Sequence, residues 1–247
     1  MKFIRFYAFL LLFCIGCQSD HKLSFEPHNF ESDICDNCPT IAIAIPKALG
    51  EAKISKTINF ELEEELIYLL AYDKEMEVTT RDEAVQSFKK GYLELQQLYS
   101  HETTPWEAEI KGKILYEDAH FITIALDAFL FTGGAHGYAS KQLLNFDKDK
   151  GVRISYLELF KDLDGFRTYA EKMFREKEKI PSDKPINYTG LMFEDETFYL
   201  PENMGFTKDG LQLLYNPYEV SSYAEGAIEI ILPHSEVRKY LSKKTKS

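Results

Sequence analysis

The chain of 247 residues has no apolar run long enough to cross a membrane. Its N-terminal run, Phe6–Gly16, has eleven residues, against the ~20 that a bilayer core of about 30 Å demands of a helix. Short enzyme signatures are also missing. There is no HExxH, no two of the six histidines lie four apart on an expected helix, and no G-x-S-x-G marks a nucleophilic serine. The one glycine cluster, Gly133–Gly137, has no Lys and Ser/Thr at P-loop spacing. It is followed by a strand-like run rather than a helix, so it is neither a phosphate loop nor a dinucleotide fingerprint. Carboxylate pairs cannot be selected by spacing in a chain with 40 acids. Internal repeats and low-complexity tracts are absent, and regular βαβ alternation is missing, which argues against a doubly wound parallel fold. Basic residues are the scarcer sign, 29 against 40, for a net charge of −11. That balance opposes nucleic acid and anionic membrane surfaces, and suits a basic partner.

Lys2 and Arg5 flank the N-terminal apolar run, which has the length of a signal-peptide core. The run ends in "CIGC", with Gly16 before Cys17, and so resembles a bacterial lipobox. In that pattern the cysteine is diacylated and becomes the mature N-terminus; here Cys14 stands where Leu is preferred. Two or more acyl chains anchor stably where one is marginal. Residues 1–16 are therefore expected to leave as a signal peptide, 17–38 to form a lipidated tether, and the protein to be exported and held at the bacterial cell envelope. Secretion after an ordinary cleavage nearby is the other reading. The mature chain would carry 27 basic and 40 acidic residues, a net charge of −13. Outside the cytoplasm, Cys35 and Cys38 in "CDNC" are most simply a disulfide. Zinc or redox chemistry and free thiols remain open, although the strand-like "TIAIAI" and Pro39 after the pair do not make the helix start that a redox motif uses.

"TIAIAI" reads as a strand stopped by Pro46. Apolar residues at Ile54, Ile58, Leu62, Leu66 and Leu69, then at Val85, Phe88, Tyr92, Leu95 and Tyr99, mark two amphipathic helices. Thr80 and Glu83 offer a capping box to the second. From Trp106 the pattern alternates, shifts near Gly112 as a bulge would, and continues into residues 120–131 and 138–146 as hairpin strands. Residues 155–179 read as one helix; "TFYLP", "MGFT", "LQLLYN" and "GAIEIILP" read as short strands, and "HSEVRKYLSKK" as a closing helix. The fold class is α+β, with mainly antiparallel sheets and packed helices.

"FTGGAHGYAS" is most simply a bend between strands, its glycines supplying positive φ and close approach. Asp127 is the acid within reach of His136 in sequence. Two longer stretches, "FTGGAHGYASKQLLNFDKDKGVRISYLELF" and "FTKDGLQLLYNPYEVSSYAEGAIEIILPHSEV", resemble the C-terminal extracytoplasmic domain of RsiV-type proteins, a domain of unknown function. The match covers Gly133–Gly137, Gly151–Phe160, and Asn216, Pro217, Tyr218, Glu219, Val220, Tyr223, Ala224 and Gly226, with Leu232–Pro233 closing it. Residues 39–125 resemble the domain that precedes it in many such proteins, named after the peptidoglycan deacetylase PdaC. The resemblance implies two domains, 39–125 and 126–247. It implies a binding or sensing module at the envelope, for a basic protein such as lysozyme or a cell-wall glycan. It does not imply deacetylation, which in PdaC belongs to a separate domain with an aspartate and paired histidines. The alternative is an envelope enzyme acting on peptidoglycan or another glycan. No cofactor, metal or catalytic residue is expected. The candidate ligand-binding or structural residues are Gly133, Gly134, His136, Gly137, Asn216, Tyr218, Glu219 and Tyr223, with His136 held by its turn and the "NPYE" segment.

The anchor expectation has a direct consequence. In fractionated bacterial cells, Cys17→Ser should move the protein from the membrane to the soluble envelope fraction. Unchanged processing and membrane retention would refute the lipobox reading.

Overall fold

The computed structural model describes residues 23–32, 38–72, 77–99 and 104–242. Its elements are β1 (Phe25–Glu31), β2 (Thr40–Ala48), α1 (Lys53–Leu70), α2 (Arg81–Leu98), β3 (Glu107–Glu117), β4 (Phe121–Phe131), β5 (Tyr138–Asp147), β6 (Val152–Arg153), α3 (Leu163–Lys177), β7 (Met204–Phe206), β8 (Gly210–Tyr215), β9 (Ile228–Pro233) and α4 (His234–Val237). β1–β6 form one sheet in chain order, and β7–β9 a second. All pairs are antiparallel except β2–β3, which is parallel because the α1–α2 hairpin carries the chain across. The fold is thus α+β with antiparallel-rich sheets, as the sequence indicates.

Alternation decides which face of β2 is buried: Ile41, Ile43 and Ile45 point inward while Thr40, Ala42 and Ala44 face solvent. On α1 the four-residue spacing of Ile54, Ile58, Leu62, Leu66 and Leu70 lays one stripe onto that face. Each such side chain contributes about 1.5–3 kcal/mol on burial. Trp106 closes this core at 1 % exposure, with the rings of Tyr72, Phe88 and Tyr92 around it. Thr80 caps α2: its side chain accepts from the Glu83 N–H, and the Glu83 carboxylate accepts from the Thr79 and Thr80 N–H groups.

β4 is apolar on both faces for a reason. Ile122, Ile124 and Leu126 face the helices, while Ala125, with Leu143 of β5, meets Leu214 of β8. Gly205 of β7 lies so close to this second face that a Cβ there would sit 2.9 Å from side-chain atoms of both Thr123 and Leu143. The other side of the small sheet packs on α3, where Phe166, Ala170 and Phe174 join Phe193, Phe198, Leu213 and Tyr215 in a second core.

β6 pairs with only the last two residues of β5, which leaves backbone groups of Lys141 and Leu143 on a free edge. Asparagine side chains pair them. Asn203 accepts from the Leu143 N–H at 2.8 Å and donates to the Lys141 carbonyl at 2.5 Å. Asn216 accepts from the Lys141 N–H at 2.8 Å and donates to the same carbonyl at 3.1 Å. Further along β5, Asn145 donates to the Met204 carbonyl and accepts from Thr123, whose hydroxyl takes the Phe206 N–H. All three asparagines are buried.

Several sequence expectations need correction. The boundary between 125 and 126 falls inside β4, which pairs with both β3 and β5, so the large sheet does not divide there. Part of the expected tether, Phe25–Glu31, is the edge strand β1, held by seven residue pairs to β2. β2 runs through Pro46 to Ala48, because Pro46 faces Pro27 of the edge strand. The bulge in β3 lies between Ile114 and Tyr116 rather than at Gly112. Residues 155–179 are not one helix. A 3-10 turn at Tyr156–Leu159 ends where Phe160 bridges to Leu241, and α3 restarts with Asp162 accepting from the Gly165 N–H. "TFYLP" joins no strand; Phe198 and Leu200 are drawn into the second core instead.

Asn203→Ala removes the partner of a buried N–H on Leu143. The orphaned donor should cost about 1–3 kcal/mol in a urea denaturation of the mature chain. A loss below about 0.5 kcal/mol, the level of an ordinary surface change, would show that the edge is satisfied otherwise.

Candidate functional site

The loop 132–137 connects β4 to β5, and its three glycines serve two different needs. Gly133 and Gly134 have φ of +94° and +85°, a region that costs residues with a Cβ. Gly137 has ordinary φ, but a Cβ there would lie 2.4 Å from the Phe129 ring and 3.0 Å from the Leu130 carbonyl oxygen. The loop can therefore reverse tightly and press its last residue onto β4. His136 is thereby presented at the surface, and its Nδ1 lies 2.9 Å from the Gly137 carbonyl. A carbonyl only accepts, so Nδ1 carries the proton.

The His136 imidazole lies flat on Tyr223, with centroids 4.0 Å apart and planes 13° apart. Tyr223 continues to Tyr218 at 5.6 Å, and Tyr218 to Tyr138 at 6.5 Å, all near parallel. Tyr218 holds φ of +72°, unusual for a residue with a side chain, and the residue is 56 % exposed. The turn that sets it is closed by Tyr218 N–H to Ser221 O and Glu219 N–H to Asn216 O. The result is a column of four rings open to solvent along one side of the β4–β5 loop.

Beside the column stands Glu219. Desolvation holds its carboxyl above the ordinary carboxylate range, and hydrogen bonds from Asn216 only partly offset this. The residue as a whole is still exposed, so its partly desolvated carboxyl lies at the protein surface among the rings. Burial, and then the Glu219 charge, pushes up the phenols of Tyr138 and Tyr199. Tyr199 donates its hydroxyl to the Glu219 carbonyl at 3.2 Å, and Tyr215 donates to the Tyr199 carbonyl at 2.5 Å. The arrangement is a partly desolvated surface carboxylate amid phenol rings, a chemistry suited to cations and basic side chains.

The structure brings His136, Tyr218, Glu219 and Tyr223 together. It sets Gly133, Gly134 and Gly137 beneath them, and Asn216 both pairs the β5 edge and hydrogen-bonds Glu219. His136 reaches the "NPYE" turn through Tyr223 rather than by direct contact. Asp127 is not its partner: that carboxylate takes Lys113 at 2.9 Å and Lys141 at 3.4 Å. Tyr138 and Tyr199 were not among the expected site residues. Tyr138 follows the glycine loop directly, while nothing in sequence marks Tyr199. Cys17 and Cys35 lie outside the described residues, so lipidation and the Cys35–Cys38 pairing stay expectations. Among the described residues no three His, Cys, Asp or Glu side chains are placed to hold a metal ion.

Fold and site define an α+β chain in two sequence segments, each similar to a known family. A family described as "Deacetylase PdaC" matches residues 33–139, and one described as "Protein of unknown function (DUF3298)" matches residues 158–235. Peptidoglycan-N-acetylmuramic acid deacetylase PdaC of Bacillus subtilis is 23% identical over 164 residues, 65% of this chain. The chain spans only 34% of that relative's length. A solved DUF3298 family member from Bacteroides fragilis has a TM-score of 0.69 at 16% identity, over 90% of this chain and 94% of that one. A DUF3298 family protein from Pseudomonas aeruginosa gives 0.67 at 18%, over 91% and 97%. At such identities the likeness shows the fold.

A proton binds Glu219 more tightly in the folded chain than in the unfolded one. The folded state is therefore penalised as pH rises from the ordinary carboxylate pKa through the raised value. Glu219→Gln should melt above wild type at pH 7–8, with the gap closing near pH 4. Equal melting at both pH values would contradict the desolvation.

Proposed function

We propose that this chain is a non-catalytic binding or sensing module at the bacterial cell envelope, anchored by lipid on Cys17, whose ligand is a basic protein of the lysozyme kind. The observation that carries the reading is the exposed column His136–Tyr223–Tyr218–Tyr138 beside the Glu219 carboxylate. Tyrosine-rich patches give large contact areas at low entropic cost and are enriched where proteins meet. A Lys or Arg of the partner would lie over the rings and reach Glu219, gaining cation–π attraction and an ion pair together. The net charge of −11 supports the same choice, because an acidic body speeds encounter with a basic one. The envelope setting is supported by the N-terminal "CIGC" and by the similarity of residues 33–139 to the PdaC family. No helix among the described residues is long and apolar enough to cross a membrane.

Titration calorimetry of the mature chain with lysozyme tests this. Binding should weaken as salt rises, and Tyr218→Ala and Glu219→Gln should each lose at least about tenfold in affinity, the worth of one interfacial anchor. No binding at low salt, or variants that bind like wild type, would contradict the reading. So would release of acetate or of sugar fragments from peptidoglycan by the wild-type chain that His136→Ala abolishes, which would instead make the site an envelope enzyme.

A further inference from the structure

A second concave site lies on different elements. Between α3, the 3-10 turn before it and the segment 196–200 is an open cleft of about 600 Å³. That size falls in the range of about 300–1,000 Å³ typical of small-ligand pockets. Its wall includes Tyr156, Arg167, Glu171, Glu196, Thr197 and Tyr199. The rim is held under strain: Asp195 and Glu196 have successive φ of 50° and 52°, and neither is glycine. Backbone of this kind persists only where surrounding contacts over-determine it. Here Thr197 fixes the turn, its N–H donating to the Glu194 carbonyl at 3.0 Å and its hydroxyl to the Asp195 carbonyl at 3.1 Å.

We infer that this cleft binds a short neutral saccharide, independently of the ring column. The lining chooses the class. One guanidinium stands with two carboxylates, so a phosphate or carboxylate ligand would meet more repulsion than attraction. A cationic ligand would in turn meet Arg167. Part of the charge is already committed, because Arg167 pairs with Asp164 at 3.2 Å and Glu171 with Arg175 at 2.8 Å. A hydroxyl-rich ring without charge uses each of the polar groups named, and its apolar face suits the leucine and phenylalanine side chains that complete the lining. Its hydroxyls donate to Glu171, Glu196 and the Thr197 hydroxyl oxygen and accept from Arg167, while its C–H faces lie on Tyr156 and Tyr199. The openness of the cleft suits the end or a bend of a chain rather than a buried monomer.

The cleft and the ring column are joined by one hydrogen bond, Tyr199 hydroxyl to Glu219 carbonyl. The test must therefore separate them. Amide resonances of the mature chain would be followed by NMR during titration with N-acetylglucosamine trimer, and separately with inorganic phosphate and with cadaverine. The trimer should shift amides of residues 163–171 and 196–200 saturably. Arg167→Ala and Glu196→Gln should each weaken it by about tenfold, and Tyr218→Ala should leave it unchanged. Arg167 is exposed, so its variant should keep the wild-type spectrum; if it does not, Glu196→Gln alone decides. No saturable shift at about 10 mM trimer would overturn the inference. So would wild-type affinity in both cleft variants, loss of trimer binding in Tyr218→Ala, or phosphate or cadaverine binding at the same amides.

Discussion

The free edge of β5 is the constraint on which the rest of the molecule depends. A strand edge carries N–H and C=O groups that must be paired if they are buried. β6 is too short to pair them, so Asn203 and Asn216 do so through their side chains. An amide side chain offers one donor and one acceptor group at the spacing of a peptide, so each asparagine acts as a fragment of an extra strand. Both come from the C-terminal segment. The bonds that complete the large sheet thus also fix the small sheet against it, with Gly205 and Leu214 pressed onto Thr123, Ala125 and Leu143.

The ring column follows from that seam. Asn216 is fixed by β5, and the turn after it sends Tyr218 outward at positive φ. The β4–β5 loop brings His136 and Tyr138 up from the other segment, and Tyr223 fills the space between. A surface assembled from both segments cannot form in either alone. Several of its backbone supports are buried, among them Gly137, Asn216 and Val220, although its rings reach solvent. Pre-organisation of this kind lowers the entropy lost on binding.

Much of the fold was legible in the sequence. The four-residue spacing from Ile54 to Leu66, the capping pair Thr80 and Glu83, and the alternation in residues 40–45 each follow from local periodicity, and each stands in the structure. What was not legible depends on distant contacts. β1 is polar and irregular in composition, and becomes a strand only because β2 offers an edge. Residues 155–162 have helical spacing, but the bridge from Phe160 to Leu241 breaks them. "TFYLP" alternates like a strand, yet its backbone finds no partner strand once Phe198 and Leu200 enter the core. At the site, Gly133, Gly134 and His136 were readable from the loop. The role of Asn216 was not, because a side chain that pairs with a strand 75 positions away leaves no local pattern.

The central claim, that asparagine side chains complete the large sheet and so join the two segments, is tested most directly by native-state hydrogen exchange at the Lys141 and Leu143 amides of the wild-type chain. If Asn216 and Asn203 hold them as described, both amides should exchange only through global unfolding, with the protection of β4 interior amides such as Ile124. Exchange at rates close to those of an unpaired edge would contradict the account.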